Sequence, residues 1–245
     1  TAHVAQQNAA ASRVRRPSGP PHEAHALVDM FDQMGGQMQF HGAFSPQAPG
    51  PAAAAAAVGD TFWRLAELQI LDPRCLCHER RLSFWLNVIN ASTLAWLCKG
   101  DRFKALSQHG MVFPARAWVG FLTQSRVNVG GHEFSLFEME HMVLRAHSTA
   151  PSGLVWPFIK RQKRLGAQDP RRALALTRAA PEVSFGISLP IQSGCPPLRV
   201  FRPESLRSQL LLNCGHYIAH TLEVEVARHR AWLPALFRYY GRDFG

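Results

Sequence analysis

Arg81-Leu-Ser-Phe-Trp-Leu-Asn-Val-Ile-Asn-Ala, residues 81–91, is the stretch around which the rest of the fold is predicted. It belongs to a segment, His78 to Lys99, whose pattern indicates one long helix. Between Leu82 and Leu97 this helix is apolar almost all round, which is typical of a helix at the centre of a fold. Asn87 and Asn90 are then expected to be buried, and buried amides need hydrogen-bond partners.

Shorter patterns predict a helix on the N-terminal side of this segment. Phe62, Leu65 and Leu68 recur at helical spacing, and Asp60 or Thr61 can cap the start of the helix. We therefore place the beginning of the folded domain at about residue 60.

The C-terminal side combines helices with short strands. Val127 to Phe134 has the pattern of two strands joined by Gly130-Gly131, and Ser135 with Glu138 forms a capping box that starts a helix. Further strands are predicted at Val183 to Leu189 and Leu222 to Val226, and further helices at Pro203 to His220 and Trp232 to Tyr240. The predicted class is α+β: a helix-dominated single domain over residues 60–245 with a small, mostly antiparallel sheet.

Residues 1–59 are predicted to form a low-complexity arm or linker. This segment is rich in Ala, Gly, Pro and Gln and includes an alanine run at positions 52–57. Such a composition buries too little apolar surface to offset chain entropy. Within it, Ala24 to Met34 carries apolar residues at helical spacing, which predicts an amphipathic segment that docks on this domain or on a partner.

The cysteines and the apolar runs indicate in which cellular compartment the protein is expected. Five scattered cysteines do not suit a disulfide-stapled secreted scaffold, so a reducing intracellular compartment is expected, cytoplasmic or organellar. The apolar runs are shorter than the roughly 20 residues that cross a bilayer, so no transmembrane segment is expected.

Because the chain begins at Thr1, we interpret it as a processed product or a fragment. Residues 1–22 contain no acid, which fits a chain that follows a mitochondrial targeting peptide.

The balance of charge favours acidic or phosphate-rich partners. The excess of 27 Lys and Arg over 17 Asp and Glu gives a net charge of +10. The densest basic stretch runs from Lys160 to Arg172, is extended by Arg178, and contains one acid, Asp169. It predicts a basic face for an acidic protein, or for non-specific contact with nucleic acid or an anionic surface, and a merely solvated face is the alternative. The candidate binding residues are Lys160, Arg161, Lys163, Arg164, Arg171, Arg172, Arg178 and Arg199.

The common cofactor motifs are missing from the sequence. It contains no phosphate loop, dinucleotide glycine pattern or nucleophile elbow. Cys75 and Cys77 are separated by one residue, and a zinc site there would need ligands from distant positions. We therefore expect neither a cofactor nor a metal.

Four stretches, in this order, carry a resemblance to a known family. They are the segment at residues 81–91, Ser135-Leu-Phe-Glu-Met-Glu-His-Met-Val-Leu-Arg, Gly194-Cys-Pro-Pro-Leu-Arg-Val-Phe and Tyr239-Tyr-Gly-Arg-Asp-Phe-Gly. From about Leu68 onwards the chain thus resembles the domain-of-unknown-function 547 family. That family occurs in bacteria and eukaryotes, including plant proteins that join it to a leucine-zipper segment. The resemblance implies no particular activity.

One departure from the family pattern concerns a candidate active site. The family commonly places a Cys-Gly pair ahead of its Ser-Cys-Pro-Pro element, whereas Leu189-Pro190 stands in that region here. If that pair shapes an active site in the family, the site is altered in this chain.

Two hypotheses account for the polar residues in the matching stretches. Two prolines follow Cys195 and hold its thiol in one direction. A cysteine hydrolase would pair this thiol with His141 as the base. Asn90 or Glu140 would then orient the imidazole of His141. The alternative is a structural polar network that fixes the packing. Its members would be Glu140, His141, Arg145, Asn87, Asn90 and Arg199.

We interpret the chain first as a non-catalytic interaction or structural domain, a subunit of a larger intracellular assembly whose arm and basic face contact other protein subunits. The alternative is a cysteine-dependent hydrolase or transferase acting on a peptide or related amide. Under the first interpretation, Cys195 is covered or lacks a histidine within the ~2.6–3.2 Å expected of a working pair.

Overall fold

The fold is known from a computed structural model that describes residues 51–99, 115–148, 165–188 and 196–244. Its elements are α1 (Pro51–Glu67), α2 (His78–Cys98), α3 (Ala115–Gln124), β1 (Arg126–Val129), β2 (His132–Ser135), α4 (Leu136–Glu138), a π-helix (Met139–Leu144), α5 (Leu206–Thr221), β3 (Glu223–Glu225), β4 (Arg230–Trp232) and α6 (Ala235–Tyr240). β1 pairs with β2 and β3 with β4, both antiparallel. The predicted helix-dominated α+β class is confirmed.

Helix α2 lies at the centre of the core, as its apolar sequence predicts. Every residue from 81 to 93 is buried. The Trp85 ring packs edge-on against Phe134, with 5.1 Å between the ring centroids. Its indole Nε1 donates a hydrogen bond to the Leu174 carbonyl at 2.9 Å, so this large apolar side chain is buried without an unsatisfied donor.

Helix α1 begins earlier than predicted. It starts at Pro51 and includes the alanine run, because alanine has the highest intrinsic helix propensity. Asp60 therefore lies inside the helix, where its carboxylate pairs with Arg64 at 2.9 Å instead of capping the start. Leu65 is buried on the side that faces the core. The rest of the predicted arm, including the amphipathic segment at 24–34, lies outside the described residues.

The predicted hairpin around Gly130-Gly131 is confirmed. Val127 stands opposite Phe134 in the register of β1 and β2. Gly130 and Gly131 have φ values of 62° and 80°, a conformation that glycine adopts without steric cost. At Gly130 a side chain would also be crowded by the backbone, because a Cβ there would lie 3.0 Å from the Leu71 carbonyl oxygen.

Two predicted elements need correction. The strand predicted at Val183 to Leu189 is wrong: Pro181–Phe185 forms a 3-10 helix, because a proline with its fixed φ suits the first position of a helical turn. The predicted helix start at Trp232 is also wrong. Trp232 ends β4, and α6 begins at Ala235, directly after Pro234.

The other two C-terminal elements agree with their predictions. α5 follows a 3-10 turn at Pro203–Ser205, and β3 lies inside the predicted strand. Within the four described ranges, no helix is long and apolar enough to cross a membrane.

Candidate functional site

The candidate site is built on the helix that the capping box starts. The Ser135 hydroxyl accepts from the Glu138 backbone N–H, and the Glu138 carboxylate accepts from the Ser135 N–H at 2.9 Å. After one α-helical turn the chain widens into the π-helix, in which the Arg145 N–H donates to the Glu140 carbonyl at 3.1 Å. π-helical turns are rare in proteins, and those that occur often lie at functional sites. The sequence pattern predicted an ordinary helix here.

The C-terminal segment covers this π-helix with two polar contacts. The Tyr240 hydroxyl donates to Glu140 Oε1 at 2.8 Å. Arg145, which is buried, donates to the Asp243 carboxylate and to the Ser184 hydroxyl. Its guanidinium carbon also lies 3.7 Å from the centre of the Tyr240 ring. Glu140 and Arg145 are therefore engaged by residues about a hundred positions further along the chain.

His141 lies beside this network without a hydrogen bond to it. Its Nε2 is 3.9 Å from Glu140 Oε2, which is beyond hydrogen-bond distance. The ring packs against Phe137, with 4.5 Å between the centroids, and the side chain is 11% exposed. Burial lowers the pKa of His141; the charge of Glu140 opposes this effect and that of Arg145 adds to it. The ring is thus held mainly neutral at neutral pH.

This lowered pKa makes a prediction about stability. Because the folded-state pKa lies below the ordinary value of 6.5, the unfolded chain binds a proton more readily in acid. The contribution of His141 to the free energy of unfolding should therefore decrease as pH falls through 6.5 and level off below the folded-state pKa. Urea unfolding at several pH values should show that the free energy of unfolding depends less on pH in His141→Gln than in the wild type. Equal slopes in the wild type and in His141→Gln would contradict this assignment.

Asn90 connects α2 to the segment that precedes Cys195. Its Nδ2 donates to the Gly186 carbonyl at 2.9 Å, and its Oδ1 accepts from the Ser188 N–H at 3.0 Å. The amide thereby satisfies two backbone groups of residues 186–188, a segment that forms no strand. The oxygen and the nitrogen of the Asn90 amide therefore both bond backbone groups. The described residues show no hydrogen bond between Asn90 and His141.

Two further asparagines hold backbone around Cys195, Asn87 on its C-terminal side and Asn213 on both sides. Asn87 bonds both backbone groups of Phe201, with Oδ1 2.8 Å from its nitrogen and Nδ2 2.9 Å from its oxygen. Asn213 donates to the Phe185 and Pro197 carbonyls, each at 3.0 Å, and its Oδ1 accepts from Arg199. Cys195 itself lies outside the described residues, between Ser188 and Pro197, whose backbones these side chains hold.

The predicted basic residues divide into two groups. Lys160, Arg161, Lys163 and Arg164 lie outside the described ranges. Of the rest, Arg172 is exposed, whereas Arg178 pairs with Glu79 at 2.6 Å and Arg199 bonds Asn213.

Arg171 is the basic residue most firmly engaged within the fold. Its guanidinium pairs with Asp169 at 2.8 Å and with Glu138 at 2.9 Å. Hydrogen bonding to Asp169 raises the pKa of Arg171, and hydrogen bonding to Arg171 lowers the pKa of Asp169. Burial alone would raise the pKa of Glu138, but bonds from Ser135 and Arg171 hold that pKa below its ordinary value. Arg171 therefore compensates two carboxylates and ties the 165–188 segment to the capping box.

Tyr240, Asp243, Ser184 and Asn213 complete this region, and sequence reasoning assigned none of them a role. Asn213 had a usable signal, because it falls on the same helical face as the buried Leu206, Leu210 and Tyr217. Tyr240 and Asp243 belong to the terminal stretch that carried the family resemblance, but no spacing rule connects them to Glu140 and Arg145.

A helix-centred α+β fold with an internal Glu, Arg and Tyr network defines the class of domain. The comparison with protein families then gives the family: residues 73–218 match the model described as a protein of unknown function, DUF547, and the chain belongs to this family. No curated protein and no solved structure matches the chain.

Proposed function

We propose that the chain is a non-catalytic interaction domain, a subunit of a larger intracellular assembly in the cytoplasm or an organelle. The observation that carries this proposal is the internal use of the polar site residues. Glu140 binds Tyr240, Arg145 binds Asp243, and Asn90 binds the backbone at 186–188. Glu140 and Asn90, the two residues predicted to orient His141, are thus engaged by other groups of the fold.

The proposed partners are protein subunits with acidic surfaces, and the basic face also suits non-specific nucleic acid or an anionic surface. The residues proposed for contact are those of the stretch at 160–164 together with exposed Arg172. Arg171 is left out of this surface because Asp169 and Glu138 already compensate its charge.

Charge reversal tests this interaction role. In Arg161→Glu/Arg164→Glu/Arg172→Glu, affinity for polyglutamate or polyuridylate should fall about tenfold or more, and wild-type binding should weaken steeply with salt, since charge supplies the attraction. The measurement is fluorescence anisotropy over a series of salt concentrations. Arg171→Glu is the contrasting variant, because it should lower the free energy of unfolding by about 1–3 kcal/mol through the loss of its two carboxylate partners. Salt-insensitive binding that the triple change leaves intact would refute the role of the basic face.

The second candidate is a cysteine-dependent hydrolase or transferase acting on a peptide or related amide. In it the Cys195 thiol passes its proton to His141, the sulfur forms a thioester with the substrate carbonyl, and the amine leaves with a proton before water or another acceptor releases the acyl group. The lowered pKa of His141 favours this candidate, because a base must be unprotonated at the working pH. Glu140, beside the ring, would be its orienting residue, with Asn90 as the other candidate.

A further inference from the structure

Two histidines of helix α5 lie one turn apart on its exposed surface. His216 and His220 are separated by four positions, so their side chains share one face of the helix, and both are exposed. Their imidazole rings are 5.3 Å apart between centroids and 7° from parallel. In helical zinc sites of the His-Glu-x-x-His type, two histidines with this spacing bind one ion. The spacing therefore provides two ligands for one metal.

A hydrogen bond to the backbone determines which nitrogen of His220 can bind a metal. Its Nδ1 is 2.7 Å from the His216 carbonyl oxygen. Because a carbonyl oxygen only accepts, Nδ1 carries the proton, and in the neutral ring Nε2 has the free lone pair. Metal-binding histidines commonly donate their other ring N–H to a backbone carbonyl, which fixes the orientation of the ring. His220 thus already has the hydrogen bond that a metal ligand needs.

His216 is the ring that turns when an ion binds. Parallel rings do not aim both lone pairs at one point. Within the part of the chain that the structure describes, no hydrogen bond holds the His216 ring, and exposed side chains change rotamer within nanoseconds. The helix already sets the two Cβ atoms about 5–6 Å apart. Rotation of this one side chain, without movement of the backbone, therefore brings its lone pair towards Nε2 of His220.

The charge along this part of the chain favours a cation. No Lys or Arg occurs between Arg207 and Arg228, although the whole chain has a net charge of +10. Glu223, exposed just beyond the end of the helix, adds a negative charge. The histidine pair also lies near the C-terminal end of a 16-residue helix, which is the negative end of the helix dipole. A divalent ion is therefore attracted to this end of α5.

We propose that His216 and His220 together bind one divalent transition-metal ion of the kind that prefers imidazole nitrogen, such as Ni²⁺, Cu²⁺ or Zn²⁺. Within the described ranges, no third His, Cys, Asp or Glu completes a ligand set with them, so water fills the remaining positions. The expectation of no metal rested on the cysteine spacing and did not consider this pair. The site goes beyond the proposed interaction role and does not depend on it.

The first measurement is isothermal titration calorimetry of the full chain with Ni²⁺, an ion that binds imidazole and does not oxidise thiols. We expect His216→Gln and His220→Gln each to lower the affinity of this site about tenfold or more, because the loss of either ring abolishes the chelate. The two changes together should cost little more than either alone. His147→Gln, the matched change at an exposed histidine outside α5, should leave the affinity unchanged.

Chemical modification then locates the ion among the histidines of the chain. Ni²⁺ should slow the reaction of diethyl pyrocarbonate with His216 and His220 and leave the reaction with His147 unchanged, as followed by peptide mass spectrometry. Circular dichroism should show that the three variants keep the wild-type fold. Equal Ni²⁺ affinity in the wild type and in both α5 variants would overturn the inference. Protection that does not distinguish the pair from His147 would do the same.

Discussion

The Arg145→Met protein is expected to lose about 3–5 kcal/mol of its free energy of unfolding, because removing one partner of a buried ion pair leaves the other charge buried alone. Arg145 and Asp243 are both almost fully buried, and Arg145 also donates to Ser184 and lies over the Tyr240 ring. The substitution therefore removes the central contact between the π-helix and the C-terminal segment. Urea unfolding followed by far-ultraviolet circular dichroism measures the loss.

A second variant separates the buried charge from the loss of packing. Arg145→Met/Asp243→Leu removes both charges, so it should be more stable than Arg145→Met alone. Arg242→Met is the matched control, since Arg242 is exposed and adjoins Asp243 in the chain. It should stay within about 0.5 kcal/mol of the wild type. An Arg145→Met protein as stable as this control would contradict the proposed network.

The Asn87→Leu protein should be destabilised by about 2–5 kcal/mol, because it leaves two backbone groups without partners. Asn87 is buried in α2 and bonds both the N–H and the carbonyl of buried Phe201. Leucine has a similar size, so the change removes the hydrogen bonds while keeping most of the packing. Thermal and urea unfolding give the size of the loss.

Gln124→Leu provides the control for Asn87→Leu, because it exchanges an amide for leucine at an exposed position in α3. Its free energy of unfolding should change by less than about 0.5 kcal/mol. If Asn87→Leu and Gln124→Leu lose the same free energy of unfolding, the Asn87 side chain does not hold the backbone of Phe201 through its two hydrogen bonds.

Local patterns predicted the parts of the fold that local interactions determine. The apolar run identified α2, the capping box identified the start of α4, and Gly130-Gly131 identified the hairpin. The sequence also indicated that Asn87 and Asn90 would be buried amides in need of partners. Each of these features depends on residues within a few positions of one another, so spacing alone identifies them.

The partners of the buried polar groups could not be predicted, because they lie far apart in the chain. Asn87 and Phe201 are separated by 114 positions, and Glu140 and Tyr240 by 100. The strand predicted at residues 183–189 was wrong for a related reason: the apolar pattern there reflects burial in the core, where Phe185 packs against Tyr217 of α5, and the backbone bonds at its end go to the side chain of Asn90. Arg171 looked like part of a free basic face, but Glu138, 33 positions earlier, compensates its charge.

The most direct test of the account is the alkylation rate of Cys195 in the folded chain near neutral pH, measured by iodoacetamide labelling and peptide mass spectrometry. Cys75 and Cys77, which are free and exposed, provide internal reference thiols. The proposed non-catalytic role predicts that Cys195 reacts no faster than these two and that His141→Ala leaves its rate unchanged. Rapid, selective alkylation of Cys195 that His141→Ala abolishes in a still-folded protein would contradict this role and establish the cysteine-dependent alternative.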